Sequence, residues 1–260
     1  MNLNEALALL PGTSENVVSV LSGGLDSTVM TYLLVQKYGN GRVKALSFNY
    51  GQKQKYELTC ASATCKLLKI PHSILNLKIL GNIVRDVSAN IGDSAVEMPS
   101  IKEVLGDPQP KTYVPFRNMI LNSIAFSYAE ANKASHIFTG LQVHDEYGYW
   151  DTTQRFVDAM NNVAAQNRTH KVKMMAPFAH LSKYQEILLA AELPMEVDFS
   201  KTLTCYNPQD TWPVISAKTP WSISCGKCPS CSERIANFAK AGLKDPISYS
   251  THIPWDKLLK

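Results

Sequence analysis

Asn16-Val17-Val18-Ser19-Val20-Leu21-Ser22-Gly23-Gly24-Leu25-Asp26-Ser27-Thr28 is the stretch whose reading decides the fold. Its first six residues make a short β-rich run that ends directly in two glycines. Over residues 26–38 the apolar side chains of Val29, Leu33 and Leu34 recur at helical spacing, and Gly39-Asn40-Gly41 is a stop signal. A strand, a glycine turn and a helix together suit an anion. The glycines permit backbone dihedrals that side chains forbid, and the helix offers free N–H groups and the positive end of its dipole. Ser22, Ser27 and Thr28 can add hydroxyl donors. A carboxylate repels phosphate, so Asp26 is expected to orient the loop or to help hold Mg²⁺. The plainer alternative is a tight turn capped by Asp26, which Gly-Gly alone would favour.

Reading outward, Val43-Lys44-Ala45-Leu46-Ser47-Phe48 is expected to be a second strand, followed by a helix over 53–68 and a third strand over 73–77. Alternating strands and helices imply a parallel sheet with right-handed crossovers. Residues 78–111, with Gly81, Gly92, Pro99, Gly106, Pro108 and Pro110, are expected to form a long, partly irregular excursion beside the active site. Helices are then predicted over 117–131 and 153–165, with a strand over 135–139 between them. Ser182-Lys183-Tyr184-Gln185 reads as the start of a helix running to 191. A cysteine-rich tail from about 203 ends in a helix over 231–241. The chain thus divides into an α/β nucleotide-binding domain, 1–200, and a C-terminal segment packed on it, 201–260.

Composition narrows the function classes. With 260 residues, 45% hydrophobic and 18% charged, the chain is core-forming rather than disordered. No apolar run approaches the roughly 20 residues a membrane helix needs. Met1-Asn2-Leu3-Asn4-Glu5 lacks the basic start of a secretory signal, so a cytoplasmic location is expected. The net charge of +4 is spread without a dense Lys/Arg run, and no direct nucleic-acid partner is expected. The six histidines show no ligand spacing; His72 and His136 read as strand residues, and only His144 falls in a loop near a substrate.

Six cysteines are unevenly placed. Cys60 and Cys65 lie in the helix predicted over 53–68. Cys225-Gly226-Lys227-Cys228-Pro229-Ser230-Cys231 gives three thiols at intervals of three, with Cys205 upstream. Two interlocked Cys-x-x-Cys knuckles and one remote thiol suit a closed tetrahedral Zn²⁺ site, with an iron–sulfur cluster as the alternative. A zinc ion with all four positions taken does not activate water, so its expected role is structural.

The hexapeptide Ser22–Ser27 looks like the PP-loop of the ATP-pyrophosphatase superfamily, which cleaves ATP between the α- and β-phosphates. No Walker-type Gly-Lys-Ser/Thr is present. Together with the cysteine pattern it resembles the 7-cyano-7-deazaguanine synthase family, the nitrile-forming enzymes of the queuosine pathway. Further matches run in order: Phe48-Asn49-Tyr50-Gly51-Gln52, Tyr113-Val114-Pro115-x-Arg117-Asn118, Thr139-Gly140, Gly148-Tyr149-x-Asp151, Ser182-Lys183 and Thr202-Leu203-Thr204-Cys205-Tyr206. The similarity spans about residues 17–245. It implies a Rossmann-like (adenine nucleotide α hydrolase-like) parallel sheet with helices on both faces and a zinc-bound helical C-terminal part. It also implies a reaction: ATP adenylates the carboxylate of 7-carboxy-7-deazaguanine, ammonia gives the amide, and a second activation dehydrates it to the nitrile. A homodimer is compatible with the same family.

That resemblance adds Tyr50, Gln52, Arg117, Asn118, Gly140, Tyr149, Asp151 and Lys183 to the candidate site. Arg117 at a helix start can meet phosphate or carboxylate bidentately. Asp151 either accepts from the N–H groups of a guanine-like edge or caps a helix. Lys183 either reaches a phosphate or is a solvated first-turn residue. Tyr50 and Gln52 follow a strand's C-terminal end, where α/β ligands bind.

The chain also departs from the family. Phe116 stands where members usually carry glycine, Trp150-Asp151-Thr152-Thr153 replaces a Pro-Asp-Cys-Arg run, and the Cys205–Cys225 spacing is longer, with Trp212, Pro213 and Trp221 in the insert. These departures leave two acceptors open, ammonia or a protein amine, the latter as in synthase relatives from antiviral (cyclic-oligonucleotide signalling) operons. A third reading is a zinc-stabilised ATP sensor without chemistry.

Overall fold

A short capped helix, α1 (Leu3–Ala8), leads into β1 (Asn16–Val20), α2 (Leu25–Tyr38), β2 (Val43–Asn49), α3 (Glu57–Leu68) and β3 (His72–Asn76). Then come α4 (Lys78–Val84), α5 (Ile101–Val104), α6 (Arg117–Ala131), β4 (Ala134–Thr139), α7 (Gln154–Ala164) and β5 (Lys173–Met175). The chain closes with α8 (Lys183–Glu192), α9 (Pro229–Lys240) and α10 (Trp255–Leu258). This computed structural model describes residues 1–99, 101–104, 107, 109–142, 149–209 and 223–259.

Five strands form one parallel sheet in the order β3-β2-β1-β4-β5. The direction of progress reverses between β1 and β4, and an α/β sheet opens a crevice at the carboxyl ends of its strands there. Both faces are covered, as the hydrophobic pattern requires. Val17 and Val18 of β1 are both fully buried, one against each layer, because successive strand residues point to opposite faces. On Val17's side, α2 carries Leu25, Val29, Leu33 and Leu34 into a core completed by Phe178, Ile187 and Phe238. On Val18's side, Leu121, Ala125 and Ala129 of α6 pack with Leu46, Ile137 and Phe156. α2 is buried almost all round, as expected of a helix sandwiched between a sheet and further helices. Two of its interior hydroxyls are satisfied nearby, Thr31 bonding Ser19 at 2.7 Å and Ser27 bonding Ser22 at 2.9 Å.

The parallel sheet with helices on both faces agrees with the sequence reading. Details differ. The helix predicted over 53–68 begins at Glu57, because 53–56 forms turns. α1, α4 and β5 carry signals too short to read: six, seven and three residues. Among the described residues no helix is long and apolar enough to cross a membrane.

Candidate active site

The Ser22–Ser27 loop leaves the carboxyl end of β1 and enters α2 with Gly24 as a cap that makes no side-chain bond. Gly23 has φ of +94°, and a Cβ there would lie 2.0 Å from the Glu57 carbonyl oxygen. Only glycine fits. Ser22 and Ser27 hydroxyls bond at 2.9 Å, and the Gly24 N–H donates to Ser22 Oγ at 3.2 Å, so the loop is held from within. Gly140, at the end of β4, packs against the loop less tightly: a Cβ would sit 3.1 Å from Ser27 N. The C-terminal segment meets the loop as well, Leu203 N–H donating to Gly23 O at 3.0 Å.

A cavity of about 300 Å³ opens over this loop. Ser22, Gly24, Asp26 and Ser27 form its floor. Tyr50 and Glu57 stand on the β2 side, Arg117, Asn118 and Tyr149 on the α6 side, and Gly140 and Lys183 beyond β4. The fourth wall comes from the cysteine-bearing segment: Thr204, Tyr206, Pro229, Ser230 and Glu233.

Lys183 is the most tightly held of these. Its ammonium lies 3.2 Å from Asp26 and 3.3 Å from Glu233, and donates to Gln142 Oε1 at 2.9 Å. Burial works against its charge, but Asp26, Glu233 and Glu186 outweigh that and hold its pKa above the usual lysine range. Glu186, wholly buried, is pushed the other way: desolvation and the nearby Asp26 raise its carboxyl well above the ordinary value. Arg117 donates to the Tyr50 hydroxyl at 3.4 Å. Its desolvation is likewise outweighed, here by Tyr50 and Asp151, and the guanidinium stays charged.

Not every candidate reaches the cavity. Gly23, Leu25, Thr28, Gln52 and Asp151 do not line it. Leu25 belongs to the core, and Thr28 Oγ1 is buried without a hydrogen-bond partner among the described residues. Gln52 braces the wall from behind: it accepts from Tyr50 N–H at 2.9 Å and donates to Phe48 O and Glu57 Oε1, each at 3.0 Å. Asp151 is buried and accepts the Asn118 N–H at 3.3 Å, so it caps the start of α6, while Thr153 caps α7. Burial raises the Asp151 pKa, and Arg117 partly offsets this. His144, Gly148, Trp212, Pro213 and Trp221, as well as Gly106 and Pro108, lie outside the described residues.

Gln54, Glu57, Gln142 and Glu233 line the cavity and carry no signal in the sequence. Glu57 sits in the first turn of α3, where an acid reads as an ordinary dipole partner. Only its burial marks it, and its backbone carbonyl lies against Gly23.

The four sulfurs of Cys205, Cys225, Cys228 and Cys231 lie within 4.8 Å of one another, and all four residues are buried. Four backbone N–H groups point at these sulfurs, from Cys225, Lys227, Cys228 and Tyr206, at 3.2–3.4 Å. Such donors stabilise thiolates, and the group can hold a metal ion. Below it, Arg234 is fully buried and pairs bidentately with Asp245 at 2.7 and 3.0 Å. It also donates to Thr202 Oγ1 at 2.7 Å, tying α9 to the strand-like approach to Cys205.

A parallel sheet whose first strand ends in this loop, with a cavity over its carboxyl edge, defines a PP-loop nucleotide-binding fold. The chain belongs to the queuosine biosynthesis protein QueC family, whose family model matches residues 16–242. It is 35% identical over 237 residues to the 7-cyano-7-deazaguanine synthase of Marinomonas sp. (strain MWYL1), covering 91% of this chain and 99% of that one. The 7-cyano-7-deazaguanine synthase of Caldicellulosiruptor saccharolyticus is 35% identical over 240 residues, covering 92% and 98%. Among solved structures, the U34-tRNA thiolase NcsA from Methanococcus maripaludis superposes with a TM-score of 0.48 at 17% identity, covering 84% of this chain and 67% of that one.

Proposed function

We propose that this chain uses ATP to adenylate the carboxylate of 7-carboxy-7-deazaguanine and passes the acyl group to ammonia, giving the amide and then 7-cyano-7-deazaguanine. A carboxylate oxygen attacks the α-phosphorus and pyrophosphate leaves. Ammonia then attacks the carbonyl carbon and AMP leaves with the bonding pair. In the second round the amide oxygen is adenylated, and loss of AMP with the two amide protons yields the nitrile. The observation that carries this reading is the convergence of Ser22, Ser27, Arg117 and Lys183 on one cavity at the carboxyl end of β1.

The loop N–H groups and hydroxyls would cradle the phosphates. Arg117 would meet an α-phosphate or carboxylate oxygen, and Lys183 would stabilise the leaving pyrophosphate. Mg²⁺, with Asp26 as its protein carboxylate beside the nucleotide's own oxygens, would supply charge neutralisation there. The cysteine group fits a single ion. Tetrahedral zinc thiolates stand about 3.8 Å apart, and Cys225 and Cys231 sulfurs are 3.9 Å apart. A [4Fe–4S] cluster, in which each thiolate binds a different iron, needs them spread further. Zinc would staple the 201–260 segment to the rest of the chain.

A protein amine is the second acceptor considered, favoured by one observation. Phe116 and Trp150, both substantially exposed, contact each other at 5.5 Å beside Tyr149 at the edge of the site, an apolar surface a polypeptide could use. Incubation with ATP, Mg²⁺ and the carboxylate, with and without ammonia, separates the readings by mass spectrometry. Ammonia-dependent amide and nitrile are expected. AMP formation without either product points to another acceptor, and no carboxylate-dependent AMP at all overturns adenylation.

A further inference from the structure

The β2 side of the cavity carries polar groups that the phosphate chemistry does not use. Gln54 and Glu57 stand on one turn, joined by the Glu57 N–H to Gln54 O bond at 2.8 Å. Both side chains are at least nine-tenths buried and both line the cavity. Gln54 Oε1 has no hydrogen-bond partner among the described residues. A buried acceptor left over inside a ligand cavity marks where a ligand donor belongs. Glu57 uses Oε1 to accept from Gln52 Nε2 at 3.0 Å, and Gln52 is itself fixed by Tyr50 and Phe48, so the carboxyl is aimed rather than free. No described residue bonds its Oε2.

The subsite is therefore rich in acceptors, and its partner must be rich in donors. A 2-amino-4-oxopyrimidine ring presents a ring N–H beside an exocyclic NH₂, three hydrogens along one edge, and a carboxylate with an adjacent amide oxygen matches them. Adenine offers only its amino group there, next to a ring nitrogen whose lone pair would face the carboxylate. We propose that Glu57 and Gln54 read the amino–imino edge of the guanine-like substrate, placing its base against β2 and α3; this rests on the function proposed above. Asp151, the acid the sequence suggested for that role, is engaged at the start of α6 instead. Burial lifts the Glu57 carboxyl to about 7, so the ligand's donors would draw it into its ionised form and binding would release a proton.

Steady-state kinetics of Glu57→Gln and Gln54→Leu test this, with the deazaguanine acid and its analogue lacking the 2-amino group. In the wild type the analogue's kcat/KM is expected to be about tenfold or more below that of the acid, as for loss of a paired hydrogen bond. E57Q should raise KM for the acid by a similar factor, leave KM for ATP within about twofold, and discriminate little between acid and analogue. The wild-type KM for the acid should rise as pH falls below 7, and in E57Q this rise should vanish. A rise in KM for ATP instead, or undiminished discrimination in E57Q, overturns the assignment; an unchanged KM for ATP excludes misfolding as the cause. Calorimetric titration with guanine separates the two proposals. If the wild type makes no AMP from the acid, the function fails; if guanine binding is absent or unaffected by E57Q, the subsite fails.

Discussion

Phe116 enters α6 with φ of +53°, a left-handed conformation that costs a non-glycine residue roughly 1 kcal/mol. Its ring is 53% exposed, so core packing does not repay that cost. What it does touch is Trp150, edge to face at 5.5 Å, while the Trp150 indole N–H donates to the Tyr113 hydroxyl at 2.8 Å. An aromatic pair of this kind is worth about 0.5–1.5 kcal/mol, so the two effects nearly cancel. Phe116→Gly is expected to change stability by less than about 1 kcal/mol, whereas Phe116→Ala, which keeps the strain and loses the ring, should lose roughly 1 kcal/mol. Urea midpoints of the two variants check this. A large loss in the glycine variant alone would mean that the ring carries more structure than its contact with Trp150 suggests.

At the scale of elements, α3 carries a charge it cannot solvate. Burial raises the Glu57 carboxyl to about 7, against the lowering effects of Gln52 and Arg117. An unfolded glutamate titrates near 4.3, so the folded state prefers the protonated form. The resulting stability is complete below about pH 4 and is lost as pH rises through 7. Glu57→Gln, always neutral, should therefore gain on the wild type between pH 5 and 8, by up to roughly 3 kcal/mol, in denaturant titrations at the two values. A pH-independent difference would place the carboxyl in contact with water.

The same element shows what a sequence carries and what it hides. β1, β2 and α2 were legible because a buried parallel strand is a continuous apolar run and Gly23-Gly24 leaves few alternatives for the turn between them. Glu57 and Gln54 were not, since nothing local distinguishes a first-turn acid under a glycine contact from one in water. Asp151 carried both readings, and a backbone N–H from α6, distant in sequence, engages it. β5 went unread because three edge residues show no period.

At the scale of the whole molecule, the cysteine group and the phosphate loop are one construction. Cys228 caps α9, whose Pro229, Ser230 and Glu233 line the cavity, and Leu203, two residues before Cys205, bonds the carbonyl of Gly23. Removing a metal held by the four cysteines should free both ends of this wall. Chelation is expected to lower the melting temperature and weaken binding of a non-hydrolysable ATP analogue together, with one colourless zinc ion per chain recovered by elemental analysis. A brown protein containing iron would favour a cluster, and unchanged nucleotide affinity would uncouple the two sites.

The central claim is that the carboxylate attacks the α-phosphorus of ATP from within this cavity, and isotope transfer reads that bond directly. With the substrate carboxylate labelled with ¹⁸O, ammonia-dependent turnover should deliver one label into AMP and none into pyrophosphate. Label in orthophosphate, or AMP formed without it, would contradict the account.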